Sequence, residues 1–149
     1  MKKTIKILVP VDFTPCSRET LEFALSLRQF FDPSYLLLHV VPTGEVESFA
    51  TLGAEPEQGR DRRIEESSTE LEREARRLRE EIPGLSLECR VAAGLPFREI
   101  CRIAEEEKAQ LVVIGTHGRT GISHLLTGST AERVVQHASC PVLSIKARG

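Results

Sequence analysis

The chain has 149 residues, of which 40% are hydrophobic and 28% are charged, as in ordinary soluble globular proteins. Its 20 Lys and Arg residues nearly balance its 22 Asp and Glu residues, so no global field favours nucleic acid or an anionic membrane as a partner. These values argue against disordered, fibrous and membrane classes, and we expect one domain over residues 1–149.

The first residues and the cysteines both favour a cytoplasmic location. Lys6 interrupts the first apolar run and Asp12 ends it, so no signal-peptide core forms, and no stretch approaches transmembrane length. The four cysteines are scattered without a C-x-x-C pair, which predicts reduced thiols rather than disulfides or a metal site.

Apolar runs alternate with helical patterns along the chain. The runs predict strands over residues 5–9, 35–41, 85–91, 111–114 and 142–145. Apolar residues at helical spacing predict a first helix from Leu21, Ala24, Leu25 and Phe31, a third from Phe97, Ile100, Cys101 and Ala104, and a fourth from Ala131, Val134, Val135 and Ala138. We expect parallel strands joined by helical crossovers, with helices on both faces of an open α/β sheet.

Residues 42–81 separate the second strand from the third and fall into two parts. Residues 42–59 are rich in Gly, Pro and Glu and lack periodicity, which predicts a long loop, either a lid or a solvated insert. Residues 62–81 predict the second helix, with Ile64, Leu71, Ala75, Leu78 and Ile82 on one face, and with Glu72–Arg76 and Arg77–Glu81 as ion pairs.

The apolar character of each strand indicates the strand order. The second and fourth strands are continuously apolar, as central parallel strands are, whereas the third and fifth alternate with polar residues like edges. The predicted order is 3-2-1-4-5, so the chain reverses direction between strands 1 and 4. Ligands bind open sheets at such a reversal, here after Val11 and after residue 114.

Glycines and hydroxyls follow the fourth strand at that reversal. Gly115 and Gly118 come where the strand ends, and Gly128, Ser129 and Thr130 come where we expect a helix to start. Glycines at positive φ and a helix N-terminus both offer backbone N–H groups to an anion. The pattern predicts a phosphate site, although each glycine alone could simply punctuate the connection.

Three further side chains belong to the same predicted crevice. Asp12 ends strand 1, where a carboxylate can accept from a ribose hydroxyl or can merely stop the strand while Thr14 caps the first helix. Arg119 could pair with phosphate, and His117 could respond to pH or face solvent. We interpret His39, His124 and His137 as packing or surface residues.

The pattern Gly115-x2-Gly118-x9-Gly128-Ser129 resembles the ATP-binding signature of universal stress proteins, and the likeness extends over nearly the whole chain outside the insert. It implies the adenine nucleotide alpha hydrolase-like fold, with Pro10, Val11 and Asp12 lining the ribose and adenine side and Val40 offering backbone hydrogen bonds to adenine. The residues implied to hold ribose and phosphates are Gly115, Gly118, Gly128, Ser129 and Thr130. Where some relatives have a further hydroxyl, this chain has Ala131.

These patterns favour an ATP-dependent regulatory protein over an enzyme. The P-loop and the G-x-G-x-x-G turn are both absent, so we expect at most slow hydrolysis. Mg²⁺ or Mn²⁺ could arrive with the phosphates. The alternatives are a nucleotide-independent interaction module and a nucleotidyl transferase. The latter would need a paired-histidine motif where this chain has Asp12 and the four residues after it.

The last strand predicts a homodimer. Val142–Ile145 is an apolar edge that invites pairing with another chain, and the family resemblance implies antiparallel pairing across a two-fold axis.

Overall fold

A computed structural model describes residues 1–43, 57–116 and 122–146, without the side chains of residues 57, 58 and 122–129. Five strands and four helices alternate in this part of the chain. They are β1 (Lys3–Pro10), α1 (Pro15–Ser26), β2 (Phe31–Pro42), α2 (Glu57–Glu81), β3 (Ser86–Gly94), α3 (Pro96–Glu106), β4 (Leu111–Gly115), α4 (Ile122–His137) and β5 (Val142–Ile145), with a 3₁₀ turn at Leu27–Gln29 after α1.

The strands form one parallel sheet in the order β3-β2-β1-β4-β5, which confirms the predicted topology. β2 pairs with β1 along the whole of β1, as far as Pro10 opposite Leu38, and then continues beside β3. The pairing of β1 with β4 is much shorter and involves Ile7 and Leu8. β2 therefore extends beyond the end of β1 at the carboxyl edge of the sheet.

Each face of the sheet carries its own apolar core, because neighbouring residues of a strand point to opposite faces. Ile7 and Val9 of β1 belong to the core that includes α1 and α2, and Leu8 between them belongs to the core that includes α3 and α4. All three side chains are fully buried. The continuously apolar central strands that indicated the strand order are therefore apolar because both of their faces are covered.

One predicted helix residue lies in a strand, and another lies on its helix but is exposed. Phe31 is the first residue of β2 instead of a member of α1, because α1 ends at Ser26 and a 3₁₀ turn separates it from the strand. Val135 lies on α4 but is 54% exposed, while Ala131 and Val134 are buried. The stripe buried on α4 is therefore narrower than its sequence predicts.

The second helix starts earlier than predicted, at Glu57, so residues 57–59 belong to α2 and not to the loop. The rest of the predicted loop or lid, residues 44–56, lies outside the described residues. Leu71, Ala75 and Leu78 are buried on the predicted face of α2. The Arg77–Glu81 pair forms at 2.8 Å, whereas Glu72 lies 3.7 Å from Arg79 rather than pairing with Arg76.

Within residues 1–43, 57–116 and 122–146, no helix is long and apolar enough to cross a membrane.

Candidate functional site

The chain reverses direction between β1 and β4, which are neighbours in the sheet although two strands and their helices separate them in sequence. The connection after β1 leads to α1 and the connection after β4 leads to α4. Because α1 and α4 cover opposite faces of the sheet, these two adjacent strand ends form the switch point at which open α/β sheets bind ligands. The residues after β1 and β4 are therefore the first place to look for a ligand site.

Side chains close the turn after β1. The Asp12 backbone N–H donates to Ser17 Oγ at 3.0 Å, and Asp12 Oδ1 accepts from the Thr14 backbone N–H at 3.0 Å and from Thr14 Oγ1 at 2.5 Å. Thr14 Oγ1 also accepts from the Ser17 N–H at 3.2 Å, which makes Thr14 the N-cap of α1. The predicted cap is confirmed, and Asp12 takes part in it.

The second carboxylate oxygen of Asp12 remains available. In the described part of the chain, the hydrogen bonds of the Asp12 side chain all use Oδ1, and the residue is exposed. The capping contacts fix the direction of the carboxylate and leave Oδ2 to accept from a donor outside the protein. The sequence offers two alternative roles for Asp12, stopping the strand and contacting a ligand. The structure shows that the two roles are compatible.

His39 of β2 supports the same turn. Its Nδ1 lies 2.8 Å from the Val11 carbonyl oxygen, and its ring lies 4.6 Å from the Phe13 ring at an interplanar angle of 35°. Burial lowers the pKa of His39, and the hydrogen bond to Val11 and the charge of Asp12 only partly oppose that shift. The imidazole is therefore mainly neutral at pH 7, and Nδ1 carries the proton that the Val11 carbonyl accepts.

Val40 lies where β2 has passed the end of β1. The Val11 N–H donates to the Leu38 carbonyl at 2.8 Å, so the backbone groups of Leu38 face β1. Backbone groups alternate sides along a strand, and those of Val40 therefore face the same side. β1 has already ended there, and the Val11 carbonyl accepts from His39, so the described chain gives the Val40 N–H and C=O no strand partner on that side.

Pro10 and Val11 precede Asp12 at the end of β1. Pro10 is the last residue of β1 and is half-buried, and Val11 is only 8% exposed and packs in the core beneath α1. Pro10 pairs with Leu38 of β2, so Pro10, Val11 and Asp12 at the end of β1 lie near Val40, two residues beyond Leu38. The four residues that the family resemblance implies for the ribose and adenine side therefore lie at neighbouring strand ends.

Gly115 ends β4 for a structural reason. A Cβ atom at Gly115 would lie 2.7 Å from Thr20 Oγ1, and Thr20 is a buried residue of α1 whose hydroxyl donates to the Cys16 carbonyl at 2.9 Å. The absence of a side chain at Gly115 therefore lets α1 approach β4. Gly115 does not have the positive φ predicted for it, since Gly84 and Gly94 are the described glycines with that conformation.

The prediction that a helix starts at Gly128, Ser129 and Thr130 is wrong. α4 begins at Ile122, so these three residues lie inside the helix, beyond its first turn. A glycine inside a helix costs about 1 kcal/mol relative to alanine, and the rest of the helix can outweigh that cost. His117, Gly118 and Arg119 lie outside the described residues.

Two expectations concern the phosphate side of the site: the role of Ala131 and a metal held through the phosphates. Ala131 is 1% exposed and packs in the core beneath α3 and α4, so this position faces the protein interior. No group of three or more His, Cys, Asp or Glu residues that could hold a metal occurs in residues 1–43, 57–116 and 122–146. A metal held mainly through nucleotide phosphates is consistent with this donor set, because Mg²⁺ keeps several waters and needs few protein ligands.

His39 is the residue that sequence reasoning missed. It interrupts an apolar run near the end of a central strand, and this polar position next to the predicted crevice was the available signal. Its contacts were not predictable from spacing, because they depend on the register that brings β2 past the end of β1.

Comparison with known proteins agrees with the fold. Residues 4–146 match the universal stress protein family. Universal stress protein MJ0531 of Methanocaldococcus jannaschii is 34% identical over 142 residues, which cover 95% of this chain and 81% of that protein. MJ0577 of the same organism is 29% identical over 155 residues, with 95% and 94% coverage.

Solved structures show the same architecture. The structure of MJ0577 aligns with a TM-score of 0.73 at 26% identity and covers 100% of this chain and 99% of that one. A universal stress protein family member from Arabidopsis thaliana, solved with AMP bound, aligns with a TM-score of 0.66 at 24% identity and covers 97% and 93%. The family match over residues 4–146, the identity to MJ0531 and the alignment with the MJ0577 structure agree: this chain belongs to the universal stress protein family.

Proposed function

We propose that this protein binds an adenine nucleotide, ATP in the first instance, at the carboxyl ends of β1, β2 and β4. The observation that carries the proposal is that hydrogen-bonding groups at the ends of two adjacent strands, β1 and β2, have no partner in the described part of the chain. Within the described residues, the Val40 N–H and C=O have no strand partner on the β1 side, and the Asp12 side chain uses only Oδ1 and leaves Oδ2 available at the end of β1. The AMP-bound structure from Arabidopsis thaliana, which shares the fold, supports an adenine nucleotide as the ligand class.

The chemistry of these groups suits adenosine. Adenine presents an acceptor, N1, beside a donor, the N6 amino group, so one backbone N–H and one C=O can both be satisfied by its edge. Guanine presents O6 and N1–H, with donor and acceptor exchanged. Asp12 Oδ2 can accept from a ribose hydroxyl, as carboxylates at strand ends do in other open α/β sheets. We therefore expect ATP to bind more tightly than GTP.

Asp12→Asn tests this site while preserving the capping role of Oδ1. The variant replaces the ribose acceptor Oδ2 by a donor, so we expect ATP affinity to fall about 10- to 100-fold, as for loss of a hydrogen bond to a charged group. The measurement is calorimetric titration of ATP with Mg²⁺ into protein freed of carried-over nucleotide. Asp32→Asn is the matched control, because Asp32 is an exposed carboxylate near the amino end of β2.

Two outcomes of that titration contradict the proposal. Wild-type protein that binds no adenine nucleotide would favour the nucleotide-independent interaction module. Equal ATP affinity of wild type and Asp12→Asn would locate the nucleotide elsewhere on the molecule. A loss of affinity in Asp32→Asn as well would indicate a general effect of charge rather than a contact at the site.

We further propose that the protein acts as a regulatory homodimer rather than as a dedicated enzyme. The sequence lacks the P-loop pattern, so we expect phosphate release at saturating ATP to be far slower than the roughly 1 s⁻¹ of slow phosphoryl-transfer enzymes. Pyrophosphate release would instead support the nucleotidyl transferase alternative. A regulatory role requires that the nucleotide bind two states of the protein with different affinity.

The two edges of the sheet differ in a way that favours β5 as the dimer contact. β3 carries Glu88 and Arg90, and charged residues blunt an edge, whereas β5 has no charged residue. Ser144 is exposed on β5, so Ser144→Lys should shift the dimer toward monomer in light scattering at micromolar concentration. Ser86→Lys on the opposite edge is the control, and a monomeric wild type contradicts the dimer.

A further inference from the structure

The turn after β1 contains a strained residue directly beside Asp12. Phe13 has a φ of 64°, in the left-handed region that a bulky side chain rarely adopts. Such a conformation is strained and persists only where surrounding contacts hold it. The hydrogen bonds of Asp12, Thr14 and Ser17 hold the exit of the turn, toward α1. At its entry, the Val11 N–H donates to the Leu38 carbonyl of β2, and the Val11 carbonyl is left for a further contact.

His39 makes that contact from the neighbouring strand. Its Nδ1–H donates to the carbonyl of Val11, the residue before Asp12, and its ring packs against Phe13, the residue after Asp12. One imidazole therefore contacts the chain on both sides of the carboxylate. Because β2 is an inner strand that pairs with both β1 and β3, it is a rigid support for this ring.

We infer that His39 is a positioning residue for the ligand site: it holds the Val11 carbonyl and the Phe13 ring so that Asp12 is oriented before the nucleotide arrives. The hydrogen bond also occupies the Val11 carbonyl, which would otherwise be the acceptor for the Val40 N–H in a continued β1–β2 ladder. His39 therefore keeps the Val40 backbone groups available for the base. This inference rests on the proposed function and extends it to a residue on β2.

Two substitutions separate positioning from packing. Asparagine carries an N–H donor at nearly the place of imidazole Nδ1, so His39→Asn can keep the bond to Val11. His39→Leu fills a comparable volume but has no donor. If the hydrogen bond orients the turn, we expect ATP affinity to fall about 5- to 10-fold in His39→Leu, as for loss of one neutral hydrogen bond, and to recover to within about 3-fold in His39→Asn.

A double-mutant cycle with Asp12 identifies the route of the effect. If His39 acts through the Asp12 carboxylate, His39→Leu should reduce ATP affinity much less in the Asp12→Asn background than in wild type. Equal effects in both backgrounds would show that His39 does not act through Asp12 and would overturn that part of the inference. The whole inference would be overturned if His39→Leu bound ATP as tightly as wild type, or if His39→Asn bound ATP as weakly as His39→Leu.

A measurement without nucleotide separates this inference from the proposed function. Long-range ¹⁵N–¹H correlation at pH 7.5 should show His39 protonated at Nδ1, and the amide signals of residues 12–14 should move in His39→Leu and return in His39→Asn. If wild type fails to bind ATP, the proposed function fails, and these signals still decide whether His39 holds the turn. An Nε2–H tautomer, or unchanged amides in His39→Leu, would overturn the positioning role.

Discussion

The two strands that flank the crevice, β1 and β4, end in opposite ways. After β1, the side chains of Asp12, Thr14 and Ser17 build the turn, and His39 supports it from β2. After β4, the chain depends on a missing side chain, because Thr20 Oγ1 occupies the place that a Cβ of Gly115 would need. The first end is held by several replaceable side-chain hydrogen bonds, whereas the second combines the bonds of Thr116 to the Ile145 carbonyl with a steric fit at Gly115. We therefore expect graded effects of substitution at the first end and an abrupt effect at the second.

The largest effect is expected for Gly115→Ala. The new methyl group would lie 2.7 Å from Thr20 Oγ1, which is buried and hydrogen-bonded to the Cys16 carbonyl, so we expect the free energy of unfolding to fall by about 1–3 kcal/mol, as in overpacked cores. Urea denaturation measures this change. Thr20→Ala alone should cost about 1 kcal/mol through loss of its bond to Cys16.

The double variant sharpens this expectation. Thr20→Ala removes the oxygen that the new methyl group meets. The double variant should therefore lose less free energy of unfolding than the two single variants lose in sum. Simple additivity would show that Gly115 is required for another reason, such as close approach of its backbone to a ligand.

A smaller loss is expected for Thr14→Ala at the β1 end. The variant removes the side chain that caps α1 and donates to Asp12, and loss of an N-cap typically costs about 1 kcal/mol of folding free energy. Thr14→Ser should keep most of the stability. The control is Thr69→Ala on the exposed face of α2, which should change stability by no more than about 0.5 kcal/mol. Equal losses at both threonines would contradict the capping role.

The smallest effect is expected from pH. Burial lowers the pKa of His39 in the folded protein, so between about pH 6.5 and the folded pKa the unfolded chain binds a proton that the folded chain does not. His39 therefore makes no contribution above pH 6.5 and destabilises the fold as pH falls below it. Urea midpoints from pH 7.5 to 5.5 should decrease more for wild type than for His39→Asn. Parallel profiles would show that His39 titrates as in the unfolded chain.

Local patterns predicted much of this fold because they record which faces are buried. Continuous apolar runs mark strands covered on both faces, and this one property distinguished β2 and β4 from the edges β3 and β5. Thr14 was identifiable as a cap because capping is a contact over three residues. The segment after Ser26 was harder to predict, since an apolar Phe31 suits a helix and a strand equally, and only pairing with β1 places it in β2.

The sequence by itself determined the α/β class, the strand order, the cap of α1 and the position of the crevice, because each depends on burial periodicity or on near neighbours in the chain. Tertiary structure alone decided that His39 reaches a carbonyl 28 residues away, that Gly115 accommodates Thr20, and that α4 begins at Ile122, before Gly128. The physical reason is that these features depend on strand register and on the packing of whole helices, and residues brought together in that way leave no fixed spacing in the sequence.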